Sequence, residues 1–293
     1  MVQTLHDYQL ICPNYKLFTQ GATCERCKVH KYYQSALNKC IDNSTLKGTV
    51  AAIELTANEI TQVYEKNVDQ FITPSKFLRQ KLIEWGKRSE QITAISNFFD
   101  AETFATPQTG AGQGDYILYA GRLNPEKGVM VLAQAAVQAA TKLPVIKFKI
   151  AGTGDQENEL KTYITKHQLK NIELLGHQTR ENTLKLVANA RLIILPSIWY
   201  ENYSIALLEA AAMAKAVIAS DIGGNPEIVI DGQTGWLVQP NNPDQLFSKI
   251  KAVYNDRELI KTLGQNARAK LLKDNNKEDH YQKIMAIYQR LAK

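Results

Sequence analysis

Short apolar runs alternate with amphipathic segments along most of the chain from Tyr116 onward. The runs are YILYAG at 116, IKFKIAG at 146, NIELLG at 171, RLIILPS at 191, AVIAS at 216 and GWLV at 235, and helical patterns begin near Gly128, Asp155, Thr179 and Ser204. Strand, helix and strand in repeated succession is typical of right-handed βαβ units, whose parallel sheet is covered by helices on both faces. The pattern therefore predicts a doubly wound α/β domain over residues 106–275.

The first hundred residues have a weaker pattern. They offer the strand candidates VQTLH at 2, QFIT at 70 and QITAI at 91, with helical sequence over 32–66 and 75–85. A parallel sheet of three strands can hardly cover itself and leaves its edges unpaired. We therefore expect residues 1–105 to form an incomplete Rossmann-like domain, joined to the second by an aperiodic linker rich in Gly, Thr, Pro and Ala at 100–115. The last segment, 276–293, predicts a helix that packs back on the N-terminal domain.

Composition narrows the class of protein. A chain of 293 residues with 44% hydrophobic and 22% charged residues has room for two globular domains, and its apolar runs fall short of the ~20 residues of a membrane span. The start, MVQTLHDYQL, lacks the pattern of a secretory signal, so we expect a cytoplasmic protein. The net charge of +6 is scattered, and basic residues are not interleaved with aromatics, so no nucleic-acid partner is predicted.

One basic cluster, KFLRQKLIEWGKR at 76–88, interrupts this even distribution of charge. Its plain interpretation is a solvated helix face. The alternative is a surface that faces anionic lipid headgroups, which predicts peripheral contact with the inner face of the membrane.

Two glutamates eight positions apart mark the stretch SIWYENYSIALLEA at 197–210. The apolar spacing after Ser204 fits one buried side of a helix, whereas the Tyr-Glu-Asn-Tyr before it contains nothing that favours helix. Glu201 is thus predicted on a loop and Glu209 on a helix. Ser204 is the candidate N-cap, with its hydroxyl expected to accept a hydrogen bond from an amide of the first turn.

The ends of the predicted strands carry the residues suited to bind a ligand, since open α/β sheets bind at the carboxyl edge of their strands. GRLNPEKG at 121–128 puts Arg122 and Lys127 on one loop, a cationic pair suited to adjacent phosphates. AGTGD at 151–155 and GGNPE at 223–227 allow close approach of the backbone to a ligand. With the amides at the helix start after Tyr203, they predict an anion site with fixed cations.

These motifs together resemble a known family. YAGRLNPEKG, KIAGTGD, LLGH and above all LPSIWYENYSIALLEAAAMAKAVIASDIGGNPEIVIDGQTGWLV, within about 116 to 270, are similar to the C-terminal donor-binding domain of GT-B retaining glycosyltransferases of the family-four group, glycosyl transferases group 1. The last stretch carries the Glu-x7-Glu motif of that family. The resemblance implies a GT-B type fold of two Rossmann-like doubly wound domains.

The resemblance also implies roles for these residues. Glu209 would bind the ribose of a UDP- or GDP-sugar, and Glu201 would stabilise the donor sugar without forming a covalent intermediate. Preorganised cations and amides would neutralise the departing diphosphate. The residues expected on this donor side are Gly121, Arg122, Lys127, Gly152, Asn202, Tyr203 and Ser204. Because the chain contains no Asp-x-Asp pair, no divalent metal is expected at the diphosphate and no cofactor is required for the chemistry.

The segment LHDYQLICP at 5–13 resembles the part of the N-terminal domain that supplies an active-site histidine, here His6. Members of the family normally have about a hundred residues before this point. The resemblance implies a retaining transferase acting on a glycan or lipid-linked acceptor, in surface polysaccharide biosynthesis. The alternative is the nucleotide-sugar-binding half of a split or truncated enzyme, inactive until a separate N-terminal chain supplies the rest.

The cysteines are confined to the first 40 residues, at Cys12, Cys24, Cys27 and Cys40. Four thiolates that include one Cys-x2-Cys pair could bind a structural zinc ion. Reduced, unliganded thiols are the competing interpretation, and disulfides are disfavoured by a cytoplasmic setting. The sequence leaves these alternatives open.

Overall fold

The computed structural model describes residues 1–100 and 114–292, and these fall into two compact units. The first unit comprises Met1–Phe98, Trp199–Tyr203 and the segment from Lys277 onward, and the second comprises Phe99–Ile198 and Ser204–Asn276. The linker predicted at 100–115 lies almost entirely outside the described residues.

The first unit contains a parallel sheet. The strands of this unit are β1 (Val2–Thr4), β2 (Phe18–Thr19), β3 (Ala22–Thr23), β4 (Gln70–Thr73) and β5 (Ile92–Ala94). The first helices of the unit are α1 (Gln34–Leu37), α2 (Thr45–Thr61), α3 (Val63–Asn67) and α4 (Lys76–Glu84). Among the described residues the sheet has three strands in the order β1-β4-β5, while β2 and β3 form a separate antiparallel hairpin. This confirms the three strands predicted in the N-terminal part.

The basic segment at 76–88 corresponds to α4 and the residues after it. Lys81 bonds Glu25 at 2.7 Å and Glu84 at 3.2 Å, and the side chain of Lys87 bonds Glu59 at 2.9 Å. The structure therefore gives two of these cations partners within the unit, which reduces the charge left for lipid headgroups. Contact with a membrane surface remains a prediction, and no described helix is both long and apolar enough to span a bilayer.

The second unit is built on a parallel sheet that has six strands among the described residues. Its strands are β6 (Tyr116–Ala120), β7 (Lys147–Ala151), β8 (Ile172–Gly176), β9 (Leu192–Leu195), β10 (Val217–Ser220) and β11 (Trp236–Val238). Its helices are α5 (Val129–Lys142), α6 (Glu157–Lys166), α7 (Arg180–Asn189), α8 (Ile205–Ala212), α9 (Asn225–Ile228), α10 (Pro243–Val253) and α11 (Arg257–Asp274). All six predicted strands and the four predicted helix starts are confirmed to within two residues.

The strand order in this sheet is β11-β10-β9-β6-β7-β8. The chain runs outward from β6 to β8, then returns beside β6 and runs outward the other way from β9 to β11. The side chains of β9 and β10 are buried throughout, as expected for central strands covered on both faces. Loops at the carboxyl ends of β6 and β9 diverge at this reversal, which is where doubly wound sheets bind ligands.

The last helix, α12 (Lys277–Leu291), belongs to the first unit. Its Ile287 packs with Ile72 and Ile95 in a small apolar cluster, and the His280 ring lies 2.8 Å from the carbonyl oxygen of Ser96. Burial of that apolar side explains why the helical spacing at 276–293 carries hydrophobic residues.

Candidate functional site

Close backbone contacts join the loops after β6 and β7. The amide of Gly121 donates to the Ala151 carbonyl at 3.0 Å, and the amide of Leu123 donates to the Thr153 carbonyl at 2.9 Å. A Cβ on Gly152, whose φ is +138°, would lie 1.9 Å from the Gly121 carbonyl oxygen. Only glycine therefore fits at this position, and the two loops are held together at the sheet edge.

The loop after β6 also contacts the segment after β9, at the reversal of strand order. The Ile198 amide donates to the Glu126 carbonyl at 2.9 Å. A Cβ on Gly128, whose φ is +69°, would lie 2.0 Å from the Pro196 carbonyl oxygen. The sequence NPEKG thus makes a single 3₁₀ turn, Pro125–Lys127, that ends on a glycine against the neighbouring loop.

Arg122 and Lys127 lie on this same loop. Arg122 is exposed, and the hydroxyl of Tyr119 donates to its carbonyl oxygen at 2.6 Å, which fixes the backbone but leaves the guanidinium at the surface. Lys127, at the end of the 3₁₀ turn, is half-buried. Both predicted cations therefore lie on a loop at the carboxyl edge of the sheet, where an anionic ligand of this fold would bind.

Glu209 lies on α8, and Glu201 on the loop before it, as predicted. Burial raises the pKa of Glu209, and the positive charge of Arg180 opposes that rise. Arg180 is the first residue of α7, after the end of β8. Sequence reasoning missed Arg180, although its position at a helix start following a strand end was a usable signal.

Ser204 occupies the N-cap position of α8, but its hydroxyl makes no capping hydrogen bond. The predicted hydroxyl cap is therefore wrong. Ser204 is buried and its carbonyl accepts from the Leu208 amide at 3.3 Å, so the residue takes part in the first turn through its backbone.

The segment Trp199–Tyr203 carries Glu201 and belongs to the first unit. Glu201 and Asn202 are buried, at 5% and 8% exposure. The Ser75 hydroxyl donates to Asn202 Oδ1 at 3.0 Å, so the side chain that caps α4 also holds the residue after Glu201. Tyr203 is half-buried.

Tyr8 also holds the segment Trp199–Tyr203, because its hydroxyl donates to the Tyr200 carbonyl at 3.0 Å. Burial raises the pKa of Tyr8 well above its usual value, and the negative charge of Glu201 raises it further. Tyr8 is thus a protonated donor beside Glu201. His6, two residues earlier, follows β1 and is exposed. The sequence analysis predicted His6 as a site residue and missed Tyr8, which lies two positions later on the same short stretch.

The half-buried side chain of Tyr200 has both polar and aromatic partners. Its hydroxyl donates to Glu25 Oε1 at 3.1 Å, the ring lies 5.2 Å from that of Phe77, and Lys81 Nζ lies 5.0 Å from its centroid. The residue preceding Glu201 is therefore fixed on several sides. Glu25 and Lys81 were not predicted as site residues, because their contacts with Tyr200 join parts of the chain far apart in sequence.

Comparison with known proteins identifies the family. The sequence profile described as Glycosyl transferases group 1 matches residues 102–270. The chain belongs to this family. An uncharacterized glycosyltransferase, MJ1178 of Methanocaldococcus jannaschii, is 32% identical over 204 residues, which are 69% of this chain and 54% of the relative. The glycogen synthase of Mycobacterium tuberculosis is 34% identical over 212 residues, 70% of this chain and 50% of the synthase.

This group 1 glycosyl transferase chain thus spans about half the length of the curated relatives it matches. Among solved structures, Anabaena Alr3699/HepE in complex with UDP and glucose superposes with a TM-score of 0.73 at 21% identity, over 98% of this chain and 71% of HepE. The fold is therefore of the GT-B type, as predicted.

Proposed function

We propose that this protein is a retaining glycosyltransferase that moves a sugar from a nucleotide-diphosphate sugar to a glycan or lipid-linked acceptor. The observation that carries the proposal is the arrangement at the strand reversal of the second unit. There the loop with Arg122 and Lys127 contacts the segment after β9, which leads into the helix of Glu209. Cations on one side and a ribose-binding carboxylate on the other suit a nucleoside diphosphate.

The chemistry follows from what the leaving group needs. As the bond to the sugar breaks, negative charge builds on the departing diphosphate, and Arg122 and Lys127 would stabilise it without a metal ion. Glu209, whose carboxylate is half-buried, would accept hydrogen bonds from the ribose hydroxyls. The backbone amides of 202–204 would add neutral donors.

We propose that Glu201 and His6 act at the donor sugar. Glu201 is buried, and Tyr8 and Asn202 hold the backbone and side chains around it. A carboxylate fixed in this way suits the stabilisation of positive charge on the sugar in the transition state. His6, exposed after β1, would contact the donor sugar or the bond that breaks. We propose front-face substitution, in which the anomeric configuration is retained.

We propose UDP as the first nucleotide to test, since HepE, which shares this fold, has been solved with UDP and with UDP-glucose. GDP is the second candidate. The similarity to a glycogen synthase supports a role in polysaccharide biosynthesis, and a surface polysaccharide is the product we propose.

Calorimetric titration of the 293-residue chain with UDP, GDP and ADP tests the donor site. We expect one nucleotide to bind, and Glu209→Ala to weaken that binding about 10-fold to 100-fold, the loss typical of hydrogen bonds to a charged group. Glu258→Ala, an exposed carboxylate on α11, is the matched control and should bind as the natural protein does. Absence of binding by all three nucleotides would overturn the proposal.

Transfer is tested separately, with the matching nucleotide sugar and a set of glycan and lipid-linked acceptors. NMR of the product reports the anomeric configuration, and inversion would contradict the proposed mechanism. The alternative is a nucleotide-sugar-binding half of a split enzyme. It would be supported if the chain bound the nucleotide but transferred no sugar, and if a separately supplied N-terminal chain restored the transfer.

A further inference from the structure

The four cysteines of the chain surround one small cavity in the first unit. We call them the cysteine cluster: Cys12, Cys24, Cys27 and Cys40. The cavity has a volume of about 10 Å³, roughly the space of one water-sized sphere. Cys12 and Cys27 are buried and the other two are half-buried. The proposed transfer reaction uses none of these thiols.

The backbone around the cluster has little regular structure to hold it. Between β1 and α2 the elements are two strands of two residues and one helix of four. Many of its non-glycine residues have left-handed φ values: Tyr15, Leu17, Gln20, Val29, His30, Lys39, Asp42 and Asn43. Each such residue is in a strained backbone conformation, which persists only where the surroundings enforce it. A segment of this kind gains more than most from a cross-link.

All four cysteines line the same cavity, so their sulfurs can approach one bound ion. Backbone amides of Leu17, Asn14 and Lys16 are directed at the sulfur of Cys12. N–H groups directed at a sulfur stabilise the negative charge that it carries as a metal ligand.

In the structure, the thiol of Cys12 bonds a side chain that is not one of the cysteines. The Cys12 thiol donates to Asn14 Oδ1 at 2.9 Å, and over residues 1–100 and 114–292 no three His, Cys, Asp or Glu side chains already stand in metal-binding geometry. Loading therefore requires Cys12 to turn away from Asn14. Asn14 would remain in place, because its Nδ2 also donates to the Phe18 carbonyl at 2.8 Å.

We propose that the cysteine cluster binds one structural Zn²⁺. Four sulfurs with a Cys-x2-Cys pair match the ligand set of tetrahedral structural zinc. On binding, the four S–H groups release four protons to solvent and four Zn–S bonds form, which leaves a centre of net charge −2. Arg26 lies between Cys24 and Cys27 in the sequence and close to Cys40, so its positive charge would offset part of that charge.

The site would also position a residue of the proposed transfer reaction. Glu25 lies inside the Cys-x2-Cys turn and accepts the hydrogen bond of Tyr200, whose neighbour is Glu201. A zinc ion bound by Cys24 and Cys27, the two ends of this turn, would hold Glu25 in place. Through the hydrogen bond of Tyr200 it would also hold the loop of Glu201. This second part rests on the proposed function, whereas the metal site does not.

Metal content is the first test. The chain is purified without chelator and its zinc is measured by elemental analysis, with about one ion per chain expected. Replacement by Co²⁺ should give thiolate-to-cobalt charge-transfer absorption. Zinc below about a tenth of an equivalent, or disulfides detected as lost hydrogens in the mass of the denatured chain, would overturn the proposal.

Ligand variants separate a metal site from buried thiols. Cys40→Ser should lose most of the metal, whereas Cys40→His should retain it, since imidazole is an equivalent zinc ligand. Equal zinc content in Cys40→Ser and the natural protein would overturn the assignment. Because UDP is expected to bind the second unit, Cys40→Ser should keep its UDP affinity while transfer falls about 10-fold. Zinc-loaded natural protein that binds no nucleotide would refute the proposed function and leave the metal site standing.

Discussion

The hydroxyl of Tyr200 donates a hydrogen bond to the Glu25 carboxylate at 3.1 Å, across 175 positions of sequence. Burial by itself would raise the pKa of Glu25, but the hydrogen bond and charge of Lys81 outweigh it and the pKa is lowered. Burial, with the charge of Glu25, raises the pKa of Tyr200, so the phenol stays a donor. The residue before Glu201 is therefore held by a charge-assisted hydrogen bond at neutral pH.

Removing this hydrogen bond should slow the sugar transfer and leave nucleotide binding unchanged. For Tyr200→Phe we expect kcat to fall roughly threefold to tenfold, the effect of one hydrogen bond to a charged partner that is partly exposed. Tyr281→Phe, an exposed tyrosine on α12, serves as the control. A change in the Kd for UDP as large as the change in kcat would show that Tyr200 acts on more than the Glu201 loop.

The two glutamates of the Glu-x7-Glu motif should respond differently to substitution. Glu201→Gln keeps the shape of a buried side chain and removes its charge, so kcat should fall about 100-fold or more while the Kd for the nucleotide stays within twofold. Glu209→Gln should chiefly raise that Kd. Parallel calorimetry and initial-rate measurements on both variants check the division, and equal loss of UDP affinity in the two would contradict it.

We expect Arg122 and Lys127 to stabilise the negative charge of the departing diphosphate. Arg122→Ala and Lys127→Ala are each expected to lower kcat/KM about 100-fold to 1,000-fold, because a preorganised cation is lost where charge develops. Arg122→Lys should restore activity only in part, since lysine lacks the planar bidentate donors. Lys251→Ala, an exposed cation on α10, is the control. Added Mg²⁺ or Mn²⁺ should leave the rate unchanged, and a rate abolished by EDTA and restored by Mn²⁺ would refute neutralisation by side chains alone.

Gly128 and Gly232 form a matched pair for testing the contact at the strand reversal. Their φ values are +69° and +70°, but an added Cβ would meet the Pro196 carbonyl only at Gly128, while Gly232 faces open space. Alanine at either position costs about 1–2 kcal/mol for the left-handed backbone, and Gly128→Ala should cost about 1–3 kcal/mol more. Urea denaturation measures the free energy of unfolding of both variants. Equal losses would mean that the loops after β6 and β9 can separate at Gly128 without a cost in free energy.

Lys215 predicts a pH dependence of stability. It is buried, its ammonium donates to the Ala190 carbonyl at 2.9 Å, and burial lowers its pKa to about 8 from 10.5. The unfolded chain binds the proton more tightly, so the contribution of Lys215 to stability rises from pH 8 to 10.5 and is lost below pH 8. Relative to Lys215→Met, the natural protein should gain stability over that range. Lys273→Met, at an exposed position, should show no such difference.

Sequence was sufficient for the second unit because each buried strand there is a compact apolar run, such as Leu192–Leu195. It located Arg122, Lys127, Glu201 and Glu209 on their loops and helix. The sequence did not predict the features that depend on tertiary contacts. Ser204 has the residue type and position of a cap, yet its hydroxyl makes no capping hydrogen bond. Likewise, nothing local in 199–203 indicates that these five residues belong with the first unit.

That division of the chain has a practical meaning for engineering. The backbone passes between the two units after residues 98, 198, 203 and 276, so neither unit is a continuous stretch of sequence. A chimera made by exchanging residues 1–98 alone would pair a foreign Tyr8 and Glu25 with the native Tyr200. Successful exchange would require three cassettes, 1–98, 199–203 and 277–292, transplanted together, and homologues should vary in these segments as one coordinated set.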